Sequence, residues 1–188
     1  MRIISGKSRG TKLYTLEGLT TRPTLDRVKE SVFNIIQNGI ENKVVLDLFA
    51  GSGAIGLEFI SRGANKVIMC DSSKEAIKVI RKNVEKTHSE NEIELYDIDF
   101  KGCLKKIANQ KLDIIYLDPP YDTDFIKQSL EEILKLKLMH EDTLIILETD
   151  DKERILKEIS NFEFNVIDTR KYGIVHIIFL KLEPKERS

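Results

Sequence analysis

Cysteine and histidine are scarce in this chain, and long apolar runs are missing. Its 188 residues include two cysteines, Cys70 and Cys103, and three histidines, His88, His140 and His176. Two cysteines so placed supply neither the disulfide framework of a small secreted domain nor a metal-ligand spacing. Cys70 falls in an apolar run and Cys103 in a helical stretch, so both read as buried thiols. The histidines form no cluster, and no metal is expected. No apolar stretch approaches the ~20 residues of a membrane-spanning helix, and no basic-then-apolar leader ending in a cleavage site opens the chain. A cytoplasmic protein without membrane contact is therefore expected. Internal repeats and low-complexity segments are lacking too, and the length, with 41% apolar and 32% charged residues, fits a single domain with a sizeable core.

A large net charge is also missing, since the formal value is −1. The balance conceals an asymmetry. Residues 1–43 hold eight Lys or Arg against four acids, a net of +4, which leaves −5 for the remainder. A basic segment on a mildly acidic body points to an anionic partner met by the N-terminal part, with a solvated charged surface as the alternative.

What the chain does have is a glycine loop. Val44-Val45-Leu46-Asp47-Leu48-Phe49 reads as a buried parallel strand, and Ala50-Gly51-Ser52-Gly53-Ala54-Ile55-Gly56 follows at once. A tight turn thus feeds the N-terminus of a helix, where backbone N–H groups face a ligand. The spacing Gly-x-Gly-x-x-Gly is the dinucleotide fingerprint, and Asp71 closes the next apolar run where a ribose-binding acid belongs. Taken alone, this admits NAD. Asp47 discriminates, because a carboxylate fixed beside a pyrophosphate repels it and attracts a cation instead. S-adenosylmethionine (SAM) carries an ammonium and a sulfonium and suits the pair of acids better, an Asx-turn at Asp47 being the alternative.

Around this loop the chain alternates. Met1–Tyr14 reads as a small hairpin or irregular arm. The cluster Thr20-Thr21-Arg22-Pro23-Thr24 precedes a helix from about Leu25 to Gln37, stopped by Asn38-Gly39. Apolar runs at Val44–Phe49, Val67–Cys70, Ile93–Ile98, Leu112–Leu117 and Thr143–Leu147 are then separated by amphipathic stretches, notably Lys74–Val84 and Phe125–Leu136. A helix at about Lys152–Ile159 leads to Phe162–Ile167 and Ile174–Leu180, which are too close for a crossover and must pair antiparallel. The pattern predicts an α/β doubly wound sheet, mostly parallel with a C-terminal antiparallel strand, plus a small N-terminal extension. Residues 1–42 form the basic arm and helix, 43–183 the cofactor-binding core and 184–188 a frayed tail, all within one domain, 1–188.

A second constellation ends the strand Asp113–Leu117, namely Asp118-Pro119-Pro120-Tyr121. Ligands of doubly wound sheets sit beyond the carboxyl ends of the strands, so this tetrad belongs beside the glycine loop. Its two prolines stiffen a turn that presents carbonyl acceptors, and a ring follows directly. Such a site offers acceptors for both hydrogens of a planar amino group and a ring to stack on the base that carries it. Those hydrogen bonds favour the pyramidal, nucleophilic form of an otherwise delocalised amine.

The tetrad is similar to the Asp-Pro-Pro-Tyr motif of SAM-dependent amino-methyltransferases acting on nucleobases. The chain as a whole resembles the RsmD family, bacterial enzymes that methylate the exocyclic N2 of a guanine in 16S ribosomal RNA. Met1-Arg2-Ile3-Ile4-Ser5-Gly6-Lys7, Thr21-Arg22-Pro23-Thr24 with Asp26-Arg27-Val28, Leu46–Gly53, Ser61-Arg62-Gly63-Ala64 and Lys171-Tyr172-Gly173 carry the match. The resemblance implies a class I SAM-dependent methyltransferase fold of Rossmann-like type. It implies that Asp47, Phe49, Ala50, Gly51, Ser52 and Gly53 hold the methionine end of SAM. Asp71 would take the ribose hydroxyls, and Asp99, or its neighbour Asp97, would lie near the adenine. Asp118, Pro119, Pro120 and Tyr121 would hold a flipped-out guanine. Arg2, Lys7, Arg9, Lys12, Arg22 and Arg27 are the candidate RNA contacts, the partner being 16S rRNA in an assembled or assembling small subunit and the protein a monomer. Adenine-N6 or cytosine-N4 methylation of DNA or RNA, and a noncatalytic RNA-binding assembly role, are the competing readings.

Overall fold

The computed structural model describes residues 1–16 and 23–183. Arg22 and the tail expected at 184–188 lie outside the described residues. The strands are β1 (Val44–Asp47), β2 (Lys66–Asp71), β3 (Ile93–Asp97), β4 (Leu112–Leu117), β5 (Met139–Thr149), β6 (Phe164–Tyr172) and β7 (Val175–Leu182). The α-helices are α1 (Pro23–Ile36), α2 (Ala54–Ser61), α3 (Lys74–Thr87), α4 (Phe100–Lys106), α5 (Phe125–Lys135) and α6 (Lys152–Ile159).

These strands form one sheet in the order β3-β2-β1-β4-β5-β7-β6. The first five are parallel, and β7 runs antiparallel to both β5 and β6. The doubly wound expectation is met, including the closing antiparallel pair. Several elements differ from the sequence reading in extent; β6, read as Phe162–Ile167, runs Phe164–Tyr172 because its polar second half pairs with β7. β1 ends at Asp47, because the chain turns into the glycine loop there. β5 begins at Met139, ahead of the apolar run, because the register against β4 shifts between Leu112 and Ile114 and the polar residues His140–Asp142 bulge out. Thr143 closes that bulge, accepting from the His140 N–H at 2.9 Å and donating to the Leu112 carbonyl at 2.6 Å.

Helices cover both faces. Val32, Phe33, Phe59, Ile60 and Ile80 from α1, α2 and α3 pack with Val45, Ile114, Ile146 and Phe179 on one side. Leu104, Leu130, Ile133 and Ile155 from α4, α5 and α6 pack with Leu46, Ile115, Leu147 and Ile178 on the other. Adjacent strand residues serve opposite faces, as the pleat requires. Cys70 and Cys103 are buried and form no disulfide in the second layer.

The N-terminal extension is a hairpin bolted to α2. An antiparallel bridge joins Arg2 and Lys12, and the Ile3 and Leu13 amides donate to the Thr11 and Met1 carbonyls at 3.0 Å each. Gly6 sits at φ 82° against the end of α2, where a Cβ would stand 1.7 Å from the Ser61 carbonyl oxygen. No side chain fits there. Glu58, wholly buried, accepts from the Ile4 and Ser5 amides at 2.8 and 3.0 Å and from Arg62 Nε at 2.8 Å. The buried ammonium of Lys29 lies 3.3 Å from the same carboxylate and donates to the Arg2 carbonyl, which ties α1 to the arm.

Candidate active site

Parallel pairing sets Asp47 beside Tyr116, and Tyr116 beside Ile146. Side chains two residues apart share a face, so Asp47, Tyr116 and Glu148 all point to the side covered by α1 and α2. Beyond the strand ends they line a cleft of about 170 Å³, together with Asp118, the Phe49–Ser52 turn and the first turn of α2. Met1, Val28 and Lys29 form the wall contributed by the arm and α1.

The glycine loop is pinned from three directions. The Gly53 amide donates to the Ala50 carbonyl at 2.7 Å, and Gly53 adopts φ 77° as it opens α2. Asp71 Oδ2 accepts from the Gly51 amide and Oδ1 from the Ser73 amide, both at 2.8 Å. Asn83 of α3, fully buried, donates to the Ser52 carbonyl at 2.8 Å and to the Tyr14 carbonyl at 3.0 Å, so one amide group joins loop and arm.

Asp47 is 2% exposed, and its one hydrogen bond among the described residues is from the Gly56 amide to Oδ2 at 3.1 Å. Burial dominates its proton affinity and, with help from nearby Asp71, pushes its pKa up to about 7, against the lowering effect of the Gly56 amide. Glu148 is 4% exposed. Its Oε2 accepts from the Tyr116 hydroxyl at 2.8 Å and its Oε1 faces the Tyr121 hydroxyl at 3.5 Å. Desolvation raises its pKa in spite of both hydroxyls. Asp118 is likewise raised, by desolvation first and then by the carboxylates of Glu148 and Asp47. Its side chain opens onto the cleft, so water offsets part of the desolvation while the neighbouring acids keep the direction upward.

The rest of the tetrad is braced from behind. Pro119 is buried and Pro120 exposed. Thr123 Oγ1 donates to the Pro120 carbonyl at 2.6 Å. Arg154 of α6 reaches across with both guanidinium amino groups, donating to the Tyr121 carbonyl at 2.7 Å and the Thr123 carbonyl at 2.9 Å. On the far side of the loop Phe49, Phe100 and Phe125 gather, with ring centroids 4.9 to 6.1 Å apart. Asp99 caps α4, accepting from the Gly102 amide at 3.0 Å, and both Asp99 and Asp97 are exposed.

The structure therefore brings Asp47, Phe49, Ala50, Gly51, Ser52 and Asp118 to one cleft, with Gly53, Asp71 and Tyr121 bordering it. The candidate RNA contacts disperse. Arg27 precedes Val28 and Lys29, which line the cleft, and the Arg2 carbonyl touches Lys29. Lys7 instead pairs with Glu92, just before β3, at the opposite end of the parallel strands from the tetrad. Sequence reasoning missed Glu148, Glu58, Lys29, Asn83 and Arg154. For Glu148 a signal existed: like Asp47, Asp71 and Asp118, it is an acid at the end of an apolar run.

The family described as Conserved hypothetical protein 95 matches residues 1–181. The ribosomal RNA small subunit methyltransferase D of Haemophilus influenzae is 36% identical over 178 residues, covering 93% of this chain and 90% of its own. Its namesake in Escherichia coli K12 is 29% identical over 150 residues, covering 80% and 75%. A conserved hypothetical protein of Streptococcus pyogenes superposes with a TM-score of 0.75 at 28% identity, covering 82% of this chain and 95% of its own. A match over nearly the whole length, from the arm to the closing strands, places the chain in the family described as Conserved hypothetical protein 95, the RsmD family.

Proposed function

We propose that this protein is a SAM-dependent ribosomal RNA methyltransferase that modifies the exocyclic N2 of a guanine in the small-subunit RNA. The observation that carries the reading is that Asp118, an acid on a proline-stiffened turn, opens onto the same cleft as Asp47 and the glycine loop. The relatives' names supply the substrate class.

The residues fit SAM. Asp47 is a buried carboxylate with one hydrogen bond among the described residues and an elevated proton affinity, so a cation beside it is favoured. The methionyl ammonium of SAM is that cation. Bound SAM supplies a methyl group on a sulfonium, which departs as a neutral thioether. Asp71 keeps a lone pair on each oxygen beyond its amide partners and serves the ribose hydroxyls. Asp99, next in sequence to Phe100 of the Phe49–Phe100–Phe125 cluster, would lie near the adenine. Asp118 and the Pro119 carbonyl accept the two amino hydrogens, and Tyr121 stacks on the base. The turn, fixed by Arg154 and Thr123, holds the amine for in-line attack, where positioning accounts for much of the rate. Arg2, Lys12 and Arg27 and, farther away, Lys7 and Arg9 meet RNA phosphates, and the protein acts as a monomer on an assembled or assembling subunit.

Labelled SAM incubated with unmodified 16S RNA, with small subunits and with duplex DNA, followed by nucleoside identification, tests the reading. N2-methylguanine from RNA or subunits is expected; N6-methyladenine or label in DNA overturns it. Asp118→Ala should lower single-turnover methylation by about 10²–10³-fold, on the scale of losing a transition-state hydrogen-bonding group, with SAM affinity little changed. An undiminished rate removes Asp118 from its role.

A further inference from the structure

We propose that Glu148 is a positioning residue for methyl transfer, anchoring the Tyr121 ring and facing Asp118 as the second carboxylate of the cleft. The proposal rests on the reading of the protein as an amino-methyltransferase.

The geometry begins with the sheet. Glu148 follows Leu147, which is paired with Leu117, so Glu148 occupies the register level of Asp118 on the adjacent strand. It shares the α1-covered face with Asp47 and lines the cleft directly. Burying a carboxylate is costly, and a merely structural acid is surrounded by donors, as Glu58 is. Glu148 has two phenolic hydroxyls, one of them a long 3.5 Å contact from Tyr121. That contact is the only hydrogen bond found for the Tyr121 side chain among the described residues, so the ring that must lie on the substrate base is oriented through Glu148.

The second effect acts through Asp118. When the N–C bond forms from the amine lone pair and the C–S bond breaks with its pair left on sulfur, the nitrogen becomes positive and sheds one proton. Asp118 is the acceptor, and the proton then passes to solvent. A nearby second acid makes Asp118 a stronger base for that proton than an isolated carboxylate. The groups facing this pair are Asp47 on β1, Tyr116 on β4, Tyr121 after it, Asp150 after β5, Lys29 on α1 and Met1 of the arm, with His176 on β7 beside the Glu148 partner Ile177. Lys29 is already engaged by Glu58, which leaves the acids dominant at the cleft.

Glu148→Gln separates charge from hydrogen bonding, since the amide oxygen still accepts from Tyr116. Two readouts are taken on the full-length protein. The first, carbon-detected titration of the side-chain carboxylates in the SAM-free protein, assigned with Asp118→Asn, needs no activity. The Asp118 midpoint is expected to fall by at least one pH unit in Glu148→Gln. The second is the pH profile of single-turnover methylation on the RNA substrate. Its acidic limb is expected to move to lower pH by the same amount, with a reduced plateau and SAM affinity within about twofold of wild type. Glu148→Ala is expected to add a rise in substrate KM that Tyr121→Phe reproduces and that the double variant does not compound. An unmoved Asp118 midpoint, or additive effects in the double variant, overturns the proposal. A shifted midpoint in a protein that methylates no RNA overturns the reading of the function and not the pairing of the two acids.

Discussion

Glu58 and Asp47 are both buried acids on the same side of the sheet, yet their surroundings are opposite. Glu58 is enclosed by two backbone amides and the cations of Arg62 and Lys29. Asp47 has one amide and a second acid nearby. The first is a finished structural joint that fastens arm, α1 and α2 together. The second is a buried acid with a single donor among the described residues, the setting we propose for a cation-binding carboxylate. Burial alone thus says little about an acid; the tally of donors around it separates scaffold from site.

Removing Glu58 should have the largest effect on the fold. Glu58→Ala removes the acceptor of two backbone amides and the counter-charge of Lys29 and Arg62, and a loss of about 3–5 kcal/mol is expected from denaturant unfolding, with the arm becoming protease-sensitive. A loss below about 1 kcal/mol would erase the distinction from Asp47. Asp47→Asn should act in the other direction. The folded pKa of Asp47, about 7, lies above the ordinary value of 3.8, so its favourable contribution is complete below about pH 4 and is lost as pH rises through 7. Without ligand, the variant is therefore expected to be more stable than wild type at pH 8, by at most about 4 kcal/mol on the scale of 1.36 kcal/mol per pKa unit, and equal to it near pH 4. Thermal melts across that range decide the matter; a variant less stable than wild type at pH 8 contradicts the picture.

Ligand binding sharpens the contrast further. Asp47→Asn should weaken SAM by about 1–3 kcal/mol, the range for a charged hydrogen bond left unmade. Wild-type affinity should decline as pH falls below 7, because protons compete with the cation, and calorimetry should show the variant nearly indifferent to pH in that interval. The smallest effect belongs to the arm. Reversing the charges of Arg2 and Arg27 should raise the substrate KM and flatten its salt dependence by about 1–2 in log–log slope. Reversing Lys7 and Arg9, at the far end of the strands, should do less. Equal effects from both pairs would mean that the RNA runs along the whole side of the molecule.

The order of elements was legible because strong local signals agree: Leu112–Leu117 and Lys152–Ile159 match the observed β4 and α6 end for end. The cofactor loop and tetrad were legible for the same reason, since glycine and proline spacing is local information. Glu148 was visible as an acid closing an apolar run, but its direction was hidden by its own strand. An apolar run buried on both faces shows no alternation, so nothing marks the closing acid as pointing into the Asp47 side until pairing sets the register. Glu58, Asn83 and Arg154 were hidden differently. Their partners lie 54, 69 and 33 residues away, and no periodicity reports contacts at such separations.

The brace that Arg154 provides has a consequence for the order in which the protein becomes active during its synthesis. The tetrad is complete by residue 121, and the glycine loop long before it, but the guanidinium that fixes the Tyr121 and Thr123 carbonyls emerges about thirty residues later. The outer edge of β5, which carries Glu148, then waits for β7 at Val175–Leu182 to pair with it. A nascent fragment that stops short of α6 therefore has its glycine loop and tetrad in sequence but lacks the brace behind Tyr121 and the strand that flanks β5.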